Sequence, residues 1–168
     1  MHNIYIGIDN GVTGTIGILG KKAPVFVEIP TKKEQNYTKK KDLITRIDSV
    51  ALAELLRNAT EGCRPDEVFV AMERPLINPQ RFSSTVSAAR ALESVLCTIE
   101  AMGFGYMYLD SKEWQRKLLP QGISGPAEQK KASLDIATRL FPSVAETIKK
   151  HKDGDGILIA EHIRREGL

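Results

Sequence analysis

Four acidic residues stand where a carboxylate can do chemistry. Asp9 and Glu73 each directly follow a short apolar run, and Asp153 and Asp155 stand at the start of the last predicted helix. A carboxylate at the end of an apolar strand is destabilising unless it is paired or binds a cation. We therefore take these four residues as a candidate catalytic and metal-binding set.

The donor type indicates which metal this set would hold. Carboxylate oxygens suit Mg²⁺ or Mn²⁺ rather than zinc. The two cysteines, Cys63 and Cys97, match no metal or redox spacing, and His151 is the histidine just before the last two acids. Two divalent ions about 3.5–4 Å apart could activate a water and stabilise the leaving oxygen of a phosphodiester. The residue types thus predict metal-dependent phosphodiester hydrolysis.

Each acid also has a structural alternative. Asp9 precedes a turn signal and could be a turn residue, and Glu73 could pair with Arg74. Asp153 and Asp155 could cap a helix. The metal interpretation requires that the fold bring all four together.

The elements that must position these acids follow from the apolar pattern. We predict strands at residues 4–8, 15–19, 25–29, 68–72 and 104–109. We predict helices at residues 43–59, 83–102, 114–118, 128–140 and 154–165, and a mobile basic loop at residues 30–42. This order, three strands, then helices alternating with strands, then further helices, predicts a mixed α/β sheet with helices around it.

Length and charge narrow the class of protein. The chain has 168 residues, which predicts one domain over residues 1–168, and its formal charge is +3. Residues 21–46 hold eight basic residues against three acidic ones, and residues 111–152 hold nine against four. Two such basic segments favour a nucleic-acid partner over solvated loops. Without a long apolar run or a secretory signal, we expect no membrane partner and an intracellular, non-secreted protein.

Several motifs resemble those of one nuclease family. Residues 6–14 read IGIDNGVTG, residues 70–75 read VAMERP, residues 87–92 read SAARAL, and residues 155–162 read DGILIAEH. Together they resemble the RuvC-like Holliday junction resolvases of the RNase H-like superfamily, most closely the phage and plastid type. The resemblance implies an RNase H-like mixed five-stranded sheet, with three antiparallel N-terminal strands followed by β-α alternation.

The resemblance also implies a site and a reaction. Asp9, Glu73 and Asp155 match the family's metal-binding acids, and the fourth site residue is Asp153 or, as the alternative, His151. It implies two Mg²⁺ ions per site, with Mn²⁺ as a substitute. The implied enzyme is a homodimeric endodeoxyribonuclease that resolves four-way DNA junctions by symmetric paired nicking, leaving 5′-phosphate ends.

Other residues are candidates for DNA contact. Phe82 would wedge against an unstacked base at the crossover, unless it is a core residue at the entry to a helix. The basic candidates for phosphate contact are Lys39, Lys40, Lys41, Lys112, Lys130 and Lys131. The apolar stripe from Ala88 to Met102 would form a dimer contact or pack on the sheet.

Three alternatives to a junction resolvase remain. An actin-like or sugar-kinase protein would share the Asp9 turn, but it needs a second lobe that we do not expect in 168 residues, and no P-loop motif is present. A related RNase H-like nuclease would cut RNA–DNA hybrids or branched and flap DNA. A non-catalytic DNA-binding scaffold would keep the fold without the reaction. Comparing four-way junction, linear duplex and hybrid substrates separates these.

Overall fold

The structure is a computed structural model that describes residues 2–39 and 41–168. Its strands are β1 (Ile4–Ile8), β2 (Thr15–Leu19), β3 (Val25–Glu28), β4 (Thr31–Gln35), β5 (Leu43–Ile47), β6 (Val68–Glu73) and β7 (Gly105–Leu109). Its α-helices are α1 (Ser49–Ala59), α2 (Phe82–Ala101), α3 (Ser111–Leu118), α4 (Pro126–Leu140), α5 (Ala145–His151) and α6 (Asp155–Glu166).

Five strands form one mixed sheet in the order β3-β2-β1-β6-β7. The first three strands in the chain pair antiparallel, whereas β6 runs parallel to β1 and β7 runs parallel to β6. This arrangement confirms the predicted fold class. Because β1, β6 and β7 are parallel, their carboxyl ends lie at the same edge of the sheet, which is where ligands bind in sheets of this kind.

Helices cover both faces of the sheet. Side chains alternate along β1, so Ile4, Ile6 and Ile8 pack with the buried residues of α1 and α2. On the opposite face, Tyr5 packs with residues from α3, α4, α5 and α6, including the fully buried Trp114. The core therefore has two apolar layers separated by the sheet. Among the described residues, no helix has both the length and the apolar composition to cross a membrane.

The last helix, α6, lies unusually close to the sheet. Gly7 and Gly17 are cross-strand partners, and a Cβ atom on either would come within 2.2 Å of the α6 backbone. On the helix side, a Cβ atom on Gly156 would lie 2.6 Å from the carbonyl oxygen of Thr15. Only glycine permits this approach, because any side chain would push the helix away. The amino end of α6 is therefore held directly against β1 and β2.

The prediction for residues 30–59 was partly wrong. The residues predicted as a mobile loop, together with the start of the predicted helix, form an antiparallel hairpin in which β4 pairs with β5. The helix begins only at Ser49, after its N-cap Asp48 accepts hydrogen bonds from two backbone N–H groups. The spacing of Ile44 and Ile47 is compatible with a helix, but both belong to β5. Helix α5 was not predicted.

Candidate metal centre

Two of the predicted acids lie side by side at the carboxyl edge of the sheet. Strands β1 and β6 are in parallel register, and Ile8 pairs with Met72 as the last matched pair before the acids. Asp9 and Glu73 follow these two residues, so the backbone places them on neighbouring strands. The turn after Asp9 is closed by a hydrogen bond of 3.0 Å from its backbone N–H to the carbonyl of Thr15.

The other two acids come from the start of α6. The chain leaves α5 through Lys152, whose φ of 55° is left-handed, and then turns into Asp153. The carboxylate of Asp153 accepts a hydrogen bond of 2.8 Å from the backbone N–H of Asp155. The next backbone N–H, of Gly156, donates to the hydroxyl of Thr15 at 3.2 Å. Asp153 therefore orders the start of the helix through one oxygen, and its second oxygen pairs with Lys130.

The fold brings three of these carboxylates together. One oxygen from each of Asp9, Asp153 and Asp155 lies within 4.8 Å of the other two. Glu73 stands outside this trio but is close enough for its charge to act on Asp9. Its suggested partner Arg74 pairs instead with Asp110, at 3.1 Å. Glu73 is therefore not neutralised by the residue that follows it.

Crowding of negative charge perturbs the titration of the cluster. Burial raises the pKa of Asp9 well above its ordinary value, and the three other acids raise it further. Burial and then the charge of Asp155 raise the pKa of Glu73 to about 7. Burial and then the charge of Asp153 raise the pKa of Asp155 to about 6. A divalent cation would relieve this repulsion, which is the electrostatic behaviour expected of a metal site.

Neutral and cationic side chains support the cluster. The hydroxyl of Ser133 donates a hydrogen bond to Asp155, and Nζ of Lys130 lies 3.1 Å from Oδ2 of Asp153. Hydrogen bonding to Asp153 raises the pKa of Lys130, so this lysine is held in its charged form. The buried indole N–H of Trp114 lies near Glu73 and lowers its pKa, although the two do not form a hydrogen bond of good geometry.

The structure places His151 outside the carboxylate trio. Its Nδ1 lies 2.5 Å from Oε1 of Glu28, and its ring meets Phe26 edge-on with the centroids 5.8 Å apart. His151 and Asp153 do line a common cavity of about 330 Å³. Of the two candidates for the fourth site residue, it is Asp153 that the fold brings to Asp9 and Asp155.

A groove of about 830 Å³ runs past Asp9 and Glu73. Lys112, a predicted DNA contact, lines this groove. Three arginines that were not predicted as DNA contacts also line it: Arg74, Arg81 and Arg116. In this groove, basic side chains that could bind phosphates therefore lie beside carboxylates that could bind a metal ion.

The remaining predicted DNA contacts are distributed over the surface around the site. Phe82 is the first residue of α2 and is 74% exposed, so it is not a core residue. Lys131 is exposed on α4, next to Lys130. Lys39 and Lys41 are exposed at the tip of the β4–β5 hairpin, and Lys40 lies outside the described residues.

Several supporting residues gave little signal in the sequence. Ser133 and Thr15 are small polar residues in otherwise ordinary segments, and only the fold shows that they bond the site. In the sequence, Trp114 is only the first residue of a short predicted helix. The groove arginine Arg116 lies in the second basic segment, whose charge excess was the one available signal.

Comparisons with known proteins agree with this fold. No protein-family model matches the chain, and no curated protein matches it. Among solved structures, the RuvC of T. thermophilus in complex with a Holliday junction substrate is similar, with a TM-score of 0.60 and 14% sequence identity over 99% of this chain and 95% of that chain. A second Thermus thermophilus RuvC structure gives a TM-score of 0.55 and 17% identity, over 98% and 96% of the two chains. The chain therefore has a RuvC-like fold along nearly its whole length.

Proposed function

We propose that this protein is a divalent-metal-dependent endonuclease that resolves four-way DNA junctions by paired, symmetric nicking. The observation that carries the proposal is the convergence of Asp9, Asp153 and Asp155 at the carboxyl end of β1, beside Glu73. The similar RuvC structure solved with a Holliday junction supports the choice of substrate. We also propose that residues 1–168 act as one nuclease domain, inside the cell where such DNA occurs.

The donor set suits magnesium or manganese. The trio contributes only carboxylate oxygens, and the nearest histidine is paired with Glu28. Burial, and then the charges of neighbouring carboxylates, raise the pKa values of Glu73 and Asp155, and a bound cation would offset both effects. Four carboxylates provide enough oxygens for two ions, and we propose that number. Asp9, Asp153 and Asp155 would hold the ions, with Glu73 completing the site.

The reaction is hydrolysis of a phosphodiester, in which a water oxygen bonds to phosphorus while the bond to the 3′ oxygen breaks. Bound divalent ions would supply Lewis-acid polarisation of the phosphate and a lowered pKa for the attacking water. Lys112 and the groove arginines would hold the flanking phosphates by charge without reading bases. Lys130 would place a further positive charge beside Asp153. The products would be a 5′-phosphate and a 3′-hydroxyl.

Paired nicking of a four-way junction requires two active sites facing opposite strands. We therefore propose that the active species is a homodimer related by twofold symmetry. Three large apolar side chains close to the groove are exposed. Leu76 lines the groove, Ile77 is the next residue in the chain, and Phe82 is the first residue of α2. We propose that Phe82 packs against an unstacked base at the crossover.

The test is cleavage of end-labelled synthetic DNA with Mg²⁺. A mobile four-way junction, a linear duplex and an RNA–DNA hybrid of the same sequence are compared, with Asp9→Asn as the inactive variant. We expect nicks in two opposing strands of the junction, and a loss of roughly 100-fold or more in Asp9→Asn because a metal ligand is gone. Junction binding should persist in this variant.

Asp66→Asn is the matched control, because Asp66 is an exposed acid at the opposite end of β6 from Glu73. It should cut at the wild-type rate. Cleavage of the hybrid in preference to the junction would replace the resolvase with an RNase H-like alternative. Binding without cleavage by the wild type would support a DNA-binding scaffold. Undiminished cleavage by Asp9→Asn would mean that the active site lies elsewhere.

A further inference from the structure

We propose that the β4–β5 hairpin is a preformed arm that contacts the backbone of a DNA duplex beyond the cleavage site. This inference rests on the proposed function, since it assigns a further contact to the same substrate. It adds a surface outside the groove and the carboxylates. The hairpin suits this role by its charge, by the hydrogen bonds near its tip and by its attachment to the body of the protein.

The hairpin concentrates the positive charge of the chain. Residues 31–47 hold six basic and two acidic residues, so their net charge of +4 exceeds the +3 of the whole chain. Glu34 pairs with Lys32 at 2.9 Å and with Arg46 at 2.5 Å, so its single negative charge is shared between two cations. Within residues 2–39 and 41–168, no ion pair engages Lys33, Lys39 or Lys41. These exposed cations are free to meet phosphates.

Hydrogen bonds join the two strands of the hairpin close to its tip. The backbone N–H of Asn36 donates to the carbonyl of Asp42 at 2.8 Å, and the Asn36 amide donates to the Asp42 carboxylate at 2.9 Å. The backbone N–H of Thr38 donates back to the side-chain oxygen of Asn36 at 3.1 Å. These bonds close the turn that presents Lys39 and Lys41. A two-stranded ribbon of this kind has the dimensions to enter a groove of B-DNA.

The arm is fixed to the catalytic body at two places. At its base, Ile47 is buried in the core that also contains residues of α1 and α2. At its tip, the guanidinium of Arg90, on α2, lies 5.6 Å from the centre of the Tyr37 ring and 3.4 Å from its hydroxyl. Tyr37 and Arg90 line a cavity of about 380 Å³ together with Val12, in the turn that follows Asp9. The tip therefore lies beside the turn that carries a site acid.

The charge favours nucleic acid over a protein partner. Tyr37 and Leu43 are 69% and 68% exposed, which could suit a protein surface, but the surrounding free side chains are lysines. Lysine is depleted at the centres of protein interfaces and is a common phosphate contact. Because the hairpin is already folded, binding DNA would cost little ordering entropy. We therefore assign the arm to DNA backbone and treat protein binding as an outcome of the test.

The experiment compares two double variants that each remove two positive charges. K39A/K41A changes the tip of the arm, and K21A/K22A changes exposed lysines at the opposite end of the sheet, in the turn between β2 and β3. Binding to a labelled four-way junction and to a linear duplex is measured by anisotropy between 50 and 200 mM salt. EDTA is present so that no strand is cut.

We expect K39A/K41A to flatten the slope of log K against log salt by about 1.8, since each lost phosphate contact contributes about 0.9. Its binding deficit relative to wild type should then shrink about tenfold between 50 and 200 mM salt. K21A/K22A should keep the wild-type slope. In a hydroxyl-radical footprint, K39A/K41A should lose protection on a duplex arm away from the nick while protection at the nick remains.

An unchanged slope in K39A/K41A would overturn the proposal, and so would an equal change in both variants, which would reflect net charge alone. Unaltered DNA binding together with altered self-association would assign the hairpin to a protein interface instead. These readouts do not depend on cleavage. If the wild type binds the junction no better than the linear duplex, the resolvase proposal fails, while the slope measured on the duplex still decides whether the arm contacts DNA.

Discussion

Removing the charge of Glu73 should stabilise the metal-free protein. Burial and the charge of Asp155 raise the pKa of Glu73 from 4.5 to about 7, so the folded state disfavours its ionised form. A raised pKa means that the folded protein binds more protons than the unfolded chain at intermediate pH, and stability falls as pH rises through that range. The penalty is absent below pH 4.5, grows toward pH 7 and is complete above it. Glu73→Gln removes it.

The size of the effect follows from the shift. A rise from 4.5 to about 7, at 1.36 kcal/mol for each pKa unit, corresponds to about 3 kcal/mol of unfolding free energy. For a chain of 168 residues, this is an increase in Tm of roughly 6–12 °C.

The assay is urea denaturation in EDTA at pH 8.5 and at pH 5.5. We expect Glu73→Gln to exceed wild type in unfolding free energy at pH 8.5 and the gap to narrow at pH 5.5. Saturating Mg²⁺ should also reduce the difference in unfolding free energy between the two proteins at pH 8.5, because a bound cation balances the charge of Glu73 in the wild type. Glu61→Gln, at an exposed acid in the turn after α1, should be neutral throughout. A Glu73→Gln protein no more stable than wild type at pH 8.5 in EDTA would refute the charge-crowding argument.

Three further substitutions test the parts that position the site. Gly17→Ala should lower the unfolding free energy, measured by urea denaturation, by about 3 kcal/mol or more, because the new Cβ would overlap the backbone of Ile157. An unchanged unfolding free energy would mean that α6 does not rest on the glycines. Asp48→Ala should cost about 1 kcal/mol in the same assay, since two backbone N–H groups of α1 lose their cap; an equal loss on Asp48→Asn would contradict this cause. Ser133→Ala should raise the pKa of Asp155 above about 6 in an NMR titration, because the Ser133 hydroxyl favours the ionised carboxylate. The same variant should bind Mg²⁺ more weakly at pH 6.5. An unchanged pKa of Asp155 would show that the hydrogen bond from Ser133 contributes nothing.

The main sheet could be predicted because its strands are short, apolar and bounded by turns. The acids Asp9 and Glu73 stood out because each ends such a strand. That the two acids are adjacent depends also on the parallel pairing of β1 with β6. Neither segment alone shows this pairing; it follows from the family resemblance or from the structure. The meeting of Asp155 with Asp9 also depended on how α6 lies across the sheet.

The hairpin could not be predicted, for a physical reason. Strand β4 reads TKKEQ and has no apolar residue, so the alternation that marks a half-buried strand is missing. In β5, Ile44 and Ile47 stand three residues apart, which fits a helix equally well. The hairpin is held by cross-strand bonds and by its contact with α2, both of which join residues distant in sequence. Hydrogen bonds such as that from Ser133 to Asp155 could not be predicted either, because they also join residues that are distant in sequence.

The close seating of α6 on Gly7 and Gly17 has a consequence for how the protein unfolds. Residues 156–163 are all buried, and this helix rests backbone to backbone on the central strands. Amide hydrogens there should exchange only when the entire molecule opens, whereas hairpin-tip amides should exchange through local fraying. Because Asp153 and Asp155 are anchored to this slowest-exchanging unit, heating should abolish cleavage and native structure at one temperature, with no inactive but folded state in between.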